Sequence, residues 1–208
     1  EVLVSRVPSG AHVTPDSLKK MDGALAEAAG RMPEGARFAA VGYACTSATA
    51  QIGAERVAAQ ICAGLGAEVP VSDPVSACLA ACRALDVSRI ALVSPYVESV
   101  SARLIEVFAE GGLEVTRFGS FNVSEEARVV RISHRSVVDA ACALGQGDGC
   151  EAVFLSCTNL RTLDAIDEIE AALGKPVLSS NTTLAWHLAR LGGGASEMRI
   201  PGALGRLT

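Results

Sequence analysis

The chain has 208 residues, of which half are hydrophobic and 4% aromatic, and its formal net charge is −5. This length allows one large domain or two small ones, and a core of Ala, Val, Leu and Ile is typical of helices packed on a parallel sheet. Neither the charge nor any run of Lys and Arg indicates binding to nucleic acid or to an anionic membrane.

No segment approaches the ~18 consecutive apolar residues of a membrane span, and no basic-then-apolar leader precedes a cleavage site, so we expect a cytoplasmic protein. The seven cysteines lack the paired spacing of metal sites, and a protein of this size does not need disulfides, so we expect reduced thiols. The chain begins at Glu1 rather than Met, and we expect a first strand to be missing there.

The sequence pattern predicts strands and helices in alternation. Thr14, Pro15 and Asp16 start a helix that runs to residue 29, as its cap, first-turn proline and first-turn carboxylate. The predicted strands are 2–4 with Val7, 36–44, 68–71, 89–93, 113–118, 152–156 and 176–178. The other predicted helices are 48–63, 75–85, 97–110, 133–144, 163–173 and 182–191, and 192–208 is expected to be a loop with a short tail. This alternation predicts an α/β fold with right-handed crossovers and a mostly parallel sheet.

Two parts of the chain resemble each other. The run AVGYACTSAT contains Cys45 and the run AVFLSCTNLR contains Cys157; each is an apolar, strand-like stretch that ends in Cys-Thr. After the helix that follows, the first copy continues VPVSDPVSACLAACRAL and the second KPVLSSNTTLAWHLARL. A duplication with a pseudo-twofold axis would place the two cysteines opposite each other. Ligands of open α/β sheets bind beyond the carboxyl ends of the strands, which is where both cysteines would lie.

Two thiols across one cleft can move protons on both faces of a carbon, which is what inverting a centre α to a carboxylate requires. A thiol serves as either base or acid when a helix amino terminus or nearby donors stabilise its thiolate. We expect both thiols at strand ends that face solvent. Burial as small hydrophobes is the alternative, and the residues alone leave it open for Cys45 and Cys157. Burial is the simpler interpretation of the other cysteines, Cys62, Cys78, Cys82, Cys142 and Cys150.

Polar groups beside the two cysteines could bind a carboxylate and the enediolate that forms from it. The candidates are the hydroxyls of Thr46, Ser47 and Thr158, the amide of Asn159, and the backbone N–H groups of the following helix turns. Such a site needs neither a metal nor an organic cofactor. His187 could relay protons, but a packed helix histidine is the simpler interpretation, since it has no metal partner at recognisable spacing.

The motifs ACTSAT, SPYVESV and SCTNLRTLDAIDEIEAALGKPVLSSN resemble the superfamily of Asp/Glu racemases, maleate cis–trans isomerases and arylmalonate decarboxylases. The segment SCTNLR with GKPVLSSNTTLAWHLARLGG is most similar to the ectoine-utilisation A branch, which is maleate isomerase-like. The resemblance runs from about Val13 to the end and does not include the family's first strand. It implies an Asp/Glu racemase-like fold of two pseudo-symmetric Rossmann-like halves, residues 1–88 with 180–208 and residues 89–179, with the site between them. It also implies a homo-oligomer.

The resemblance assigns roles to five residues. Cys45 and Cys157 match the family's two catalytic cysteines. Thr46 and Ser47 match the hydroxyl pair that helps to hold a carboxylate in the decarboxylases, and Tyr96 matches the tyrosine that closes over the same group.

The resemblance implies one site but more than one reaction. Arylmalonate decarboxylases keep only the second cysteine, so Cys45 argues against simple decarboxylation, whereas racemases and maleate isomerases keep both. The resemblance therefore implies an isomerase or racemase of a small carboxylic acid, a diacid or an amino-acid derivative from ectoine breakdown. A decarboxylase and a catalytically silent acid-binding protein are the alternatives. Maleate isomerases use an asparagine in the region of residues 122–126, where Glu125 and Glu126 accompany Asn122; carboxylates there disfavour maleate.

Overall fold

Two parallel sheets organise residues 1–194 and 199–207, which are the residues that the computed structural model describes. The larger sheet has the order β4-β3-β5-β6 and the smaller one pairs β1 with β2. Their strands are β1 (Val41–Gly42), β2 (Val71–Ser72), β3 (Arg89–Ser94), β4 (Glu114–Ser120), β5 (Ala152–Leu155) and β6 (Val177–Ser179). The predicted α/β class with parallel sheets is therefore confirmed.

Helices connect the strands and cover both faces of the larger sheet. They are α1 (Pro15–Lys20), α2 (Asp22–Gly30), α3 (Thr46–Ile52), α4 (Ala54–Leu65), α5 (Pro74–Ala84), α6 (Glu98–Glu110), α7 (Glu126–Val129), α8 (His134–Gly145), α9 (Ile166–Leu173), α10 (Ser180–Leu191) and α11 (Gly202–Gly205). None of the helices in the described part of the chain is long and apolar enough to cross a lipid bilayer.

The centre of the larger sheet is buried on both faces, which is why β3 and β5 are nearly continuous apolar runs. Val93 and Leu155 face one core layer, and Phe154 faces the other. In that second layer Phe154 meets Phe108 edge to face, with 5.6 Å between the ring centroids. Apolar packing on both faces fixes the direction of β5, and with it the position of the loop that begins at Ser156.

Helix α10 joins the two sheets. It begins directly after β6, where Ser179 caps it through a hydrogen bond from the Thr182 backbone N–H. It then packs against α5 and against both strands of the smaller sheet. The first turn of α10 consequently lies where the carboxyl ends of both sheets approach each other. The predicted domain boundaries stay a prediction.

The amino-terminal prediction is wrong: residues 2–4 and Val7 form no strand. Val2 is 87% exposed and Val4 80% exposed. The segment is instead tied to α2 by the Ser5 hydroxyl, which donates to the Ala28 carbonyl at 2.6 Å. A strand needs a paired sheet edge, and this segment pairs with no strand of the described residues.

Several predicted elements have different bounds. The helix predicted over 48–63 is two helices because Gly53, with φ of +95°, interrupts it; the one predicted over 14–29 breaks at Met21. The strand predicted over 36–44 shortens to two paired residues, and helix 163–173 begins with a 3₁₀ turn, Leu163–Ala165. The four-residue helices α7 and α11 were not predicted, since they are too short to show a period. Residues 195–198 and 208 of the predicted loop and tail lie outside the described residues.

Candidate active site

The loops that follow β1 and β5 are hydrogen bonded to each other. Ser180 Oγ accepts two hydrogen bonds, from Thr46 Oγ1 at 2.8 Å and from the Cys157 backbone N–H at 2.9 Å. Thr158 Oγ1 donates to the Ala44 carbonyl at 2.8 Å. Thr46, which follows Cys45, and Cys157 itself both bind Ser180, and Thr158, which follows Cys157, binds the loop of Cys45. The two cysteines therefore lie at one site, although their strands belong to different sheets.

Cys157 lies beneath polar donors. Its sulfur accepts a hydrogen bond from Tyr96 Oη at 2.6 Å and another from the Asn159 backbone N–H at 3.2 Å. The residue is 1% exposed, so the expectation that it faces solvent is wrong. The reason is that Tyr96, itself 3% exposed, covers the sulfur. The sulfur is nevertheless bonded to an O–H and an N–H, which distinguishes it from a cysteine packed in hydrocarbon.

The backbone of Cys157 is strained. Its φ of +95° lies in the region that favours glycine, and a non-glycine residue in such a conformation costs roughly 1–3 kcal/mol. The hydrogen bond from its N–H to Ser180 holds the backbone there. Strain of this kind is common where a reactive side chain must be presented at a fixed angle.

Cys45 stands at the amino terminus of α3, as its N-cap residue, and is half-buried. Its sulfur lies 3.8 Å from Ser47 Oγ. Burial raises the pKa of this thiol, and the Ala48 backbone N–H and Ser47 lower it by less, because each favours the thiolate. The backbone N–H groups of Thr46 and Ser47 have no partner among the described residues, and both residues are buried.

Burial controls the charge of both thiols. It raises the pKa of the Cys157 thiol to about 12, although Tyr96 and Asn159 favour the thiolate. Burial likewise raises the pKa of the Cys45 thiol. The donors that the sequence predicted are present, but desolvation is the larger effect, so both thiols are protonated at neutral pH. The charge of a Cys45 thiolate also raises the pKa of Cys157, as expected for two sulfurs at one site.

A carboxylate also faces the thiols. Glu126, the first residue of α7, accepts a hydrogen bond on Oε2 from Asn159 Nδ2 at 2.8 Å. Its charge raises the pKa of Cys45, Cys157 and Tyr96. By contrast, the neighbouring Glu125 is exposed. Of the two acidic residues in the region 122–126, Glu126 is therefore the one directed at this site.

The structure divides the predicted site residues into two groups. Those whose polar atoms surround the two sulfurs are Cys45, Cys157, Ser47, Tyr96 and Asn159. Thr46 and Thr158 instead use their hydroxyls to connect the loops, so the hydroxyl protons that were predicted to bind a carboxylate are already donated within the protein. The catalytic and binding roles themselves stay predictions.

Sequence reasoning missed Ser180 and Tyr43. Ser180 directly follows β6, and polar residues at the carboxyl ends of parallel strands often line ligand sites; that signal was available. The sequence contains no signal for the partner of Ser180, since Thr46 lies 134 residues away. Tyr43, buried, donates to Met21 Sδ at 3.7 Å, and nothing in its sequence context separates it from an ordinary core tyrosine.

His187 does not contact the cysteines. Its Nδ1 lies 2.8 Å from the hydroxyl of Ser72, which is fully buried. Its ring stacks on Trp186 with 6.2 Å between centroids, and burial lowers its pKa. These contacts agree with the interpretation of His187 as a packed helix histidine.

The model of the arylmalonate decarboxylase family matches residues 64–207, a segment that contains Cys157, Tyr96, Glu126 and Ser180. This chain belongs to the arylmalonate decarboxylase family. The predicted superfamily is thus confirmed, while the ectoine-utilisation branch stays a prediction.

Relatives of this family member include both decarboxylases and isomerases. It is 36% identical to the arylmalonate decarboxylase of Bordetella bronchiseptica over 140 residues, which are 67% of this chain but only 58% of that protein. It is 28% identical to the maleate isomerase of Geobacillus stearothermophilus over 185 residues, 86% of this chain and 73% of that one. The structure of a Nocardia farcinica maleate cis–trans isomerase mutant with a covalently bound succinylcysteine intermediate superposes with a TM-score of 0.78 at 25% identity, covering 95% of this chain and 81% of that one.

Proposed function

We propose that this protein is a cofactor-independent isomerase of a small carboxylic acid, in which Cys45 and Cys157 act as a pair. The observation that carries the proposal is the joining of the two cysteine loops: one oxygen, Ser180 Oγ, binds both the Thr46 hydroxyl and the Cys157 amide. A reaction that uses a single thiol would not need two cysteine loops held together. Two thiols, each with its own donors, suit a reaction that requires an acid and a base on opposite faces of one carbon.

Proton transfer at an α-carbon is the simplest use of the pair. A Cys157 thiolate takes the α-proton, and the electron pair of the C–H bond passes into the carboxyl group as an enediolate. The Cys45 thiol then returns a proton to the opposite face. The acid leaves with inverted configuration, Cys157 is protonated and Cys45 is the thiolate, so protons and charge balance. The reverse reaction exchanges the two roles.

Addition to a double bond uses the same residues. A Cys45 thiolate bonds to one alkene carbon, and the π-electron pair moves to the neighbouring carbon, which takes a proton from Cys157. The new single bond rotates, Cys157 takes the proton back, and the C–S bond breaks to give the trans acid. The succinylcysteine intermediate in the Nocardia farcinica isomerase supports this variant for an unsaturated acid.

The substrate carboxylate has donors beside Cys45. The free backbone N–H groups of Thr46 and Ser47, with the Ser47 hydroxyl 3.8 Å from the Cys45 sulfur, would bind its oxygens and the developing enediolate. Binding there brings the α-carbon within reach of Cys45. Because burial raises the pKa of both thiols, we expect turnover to increase with pH above neutrality, as the thiolate fraction increases.

Hydrogen exchange tests this proposal. The protein is incubated in D₂O with a panel of small diacids, unsaturated acids and amino acids, and α-deuteration or interconversion of isomers is followed by NMR. We expect both in the wild type and neither in Cys45→Ser or Cys157→Ser. Cys62→Ser, in helix α4, is the matched control and should retain activity. Normal turnover in either active-site variant would contradict the two-thiol reaction.

A decarboxylase is the second candidate, because the relative at 36% identity is an arylmalonate decarboxylase. Release of CO₂ from a malonate that depends on Cys157 but not on Cys45 would favour this alternative. A ligand-dependent rise in melting temperature with no exchange and no CO₂ would instead indicate an acid-binding protein.

A further inference from the structure

Glu126 is connected to the reactive sulfur through a single residue. Asn159 donates its backbone N–H to Cys157 Sγ at 3.2 Å and its side-chain Nδ2 to Glu126 Oε2 at 2.8 Å. The other carboxylate oxygen, Oε1, has no hydrogen-bond partner in the described part of the chain. Asn159 therefore fixes one oxygen of Glu126 and leaves the other free beside the thiols.

The surroundings of Glu126 do not neutralise its charge. The ion pairs of the described residues do not include Glu126, although Arg128 is on the same helix turn. Glu126 is half-buried, whereas Glu125 beside it is exposed. A carboxylate that no cation pairs with is open to a donor from a ligand. The lack of a cation, the orientation that Asn159 gives to Glu126 and its free oxygen together suggest that a ligand group completes the site.

We propose that Glu126 selects substrates by their charge. The site takes an acid that has one carboxylate and, at its other end, a hydrogen-bond donor such as an amide or an ammonium group. That donor would bind Glu126 Oε1, while the single carboxylate binds beside Cys45. A dianion would place its second carboxylate against Glu126, where the two like charges repel. This inference rests on the proposed function of the same site and narrows its substrate class.

Two alkylating reagents of matched size measure this effect without any substrate. Iodoacetamide is neutral and iodoacetate is an anion, and both alkylate thiolates. At one pH the thiolate fraction is common to both reagents, so the ratio of their rates at Cys45, resolved by peptide mass spectrometry, reports the local charge that the reagent meets. In Glu126→Gln we expect the iodoacetate-to-iodoacetamide ratio to rise about tenfold over wild type. An unchanged ratio would overturn the inference.

Glu125→Gln is the matched control, since it removes the same charge one residue away, on an exposed side chain. Its ratio should stay at the wild-type value, because exposed charges are screened. An equal rise in both variants would mean that net surface charge and not Glu126 sets the preference, and would also overturn the inference.

Succinate and succinamate extend the test to ligands that do not react. They differ only in that an amide replaces one carboxylate. We expect succinamate to protect Cys45 from iodoacetamide better than succinate does in wild type, and the preference to disappear in Glu126→Gln. If no acid is turned over but this preference and the reagent ratio hold, the isomerase proposal fails and the role of Glu126 stands. If exchange occurs but succinate protects as well as succinamate, the role of Glu126 fails and the isomerase stands.

Discussion

Thr46 and Ser180 share a buried hydrogen bond of 2.8 Å that spans 134 residues of sequence. The same Ser180 oxygen also accepts the Cys157 backbone N–H. One hydroxyl thus positions the residue that follows one cysteine and the backbone of the other. The distance between the two thiols therefore depends on Ser180 Oγ. This atom belongs to helix α10, which packs against the smaller sheet.

Ser180→Ala should separate the two loops. The Thr46 hydroxyl and the Cys157 N–H both lose their acceptor in a buried site, so the free energy of unfolding should fall by about 1–3 kcal/mol, and turnover should fall as well. Thr183→Val is the control: it removes a buried hydroxyl from the same helix that bonds only backbone carbonyls. It should lower stability, by denaturant unfolding, but keep the rate of α-deuteration. Equal rates in the two variants would show that Ser180 contributes stability alone.

Tyr96→Phe should act on one thiol and Ser47→Ala on the other. The Tyr96 hydroxyl donates to Cys157 Sγ and lowers the pKa of that thiol, so its loss should raise the pKa further and slow alkylation of Cys157 by about tenfold or more at fixed pH. Ser47 Oγ lies 3.8 Å from the Cys45 sulfur and lowers the pKa of that thiol, so Ser47→Ala should slow alkylation of Cys45 alone. Peptide-resolved alkylation measures both. Equal effects of either variant on both cysteines would contradict this division.

The strained backbone of Cys157 predicts an unusual order of stability. At φ of +95° alanine keeps the strain and glycine relieves it, so Cys157→Gly should be more stable than Cys157→Ala by about 1 kcal/mol. Cys78 lies in the middle of helix α5, so there the order should be the usual one, with Ala more stable than Gly. Chemical denaturation of the four variants measures both differences. The same order at both positions would show that the Cys157 conformation is not strained.

The sequence predicted the class of fold and most of the central elements, because β3, β5 and their helices carry unbroken apolar patterns. It wrongly predicted a strand at residues 2–4, because a strand depends on pairing across the fold, which a local apolar pattern does not show. In the site, Cys45 and Cys157 were recognisable from their strand-end motifs. Ser180 and the orientation of Glu126 were not, since their partners are distant in sequence. Assembly into a homo-oligomer and a cytoplasmic location stay predictions.

The raised pKa of Cys157 predicts a loss of stability at alkaline pH. Burial raises this pKa from an ordinary value of 9.0 to about 12, so the folded state holds its proton where the unfolded chain has released it. The contribution to stability is fully present below pH 9.0 and is lost as the pH rises toward about 12. Burial shifts Cys45 and Tyr96 in the same direction, and they share this loss.

Denaturant unfolding between neutral pH and pH 11 should therefore show a wild-type stability that declines at the alkaline end, and a shallower decline in Cys157→Ala. The slope of the difference cannot exceed that of one proton, about 1.4 kcal/mol per pH unit. Thr183→Val, which removes a buried hydroxyl that does not titrate, should decline in parallel with wild type. If Cys157→Ala also runs parallel to wild type, the thiol titrates alike in the folded and unfolded chains, and desolvation does not control its charge.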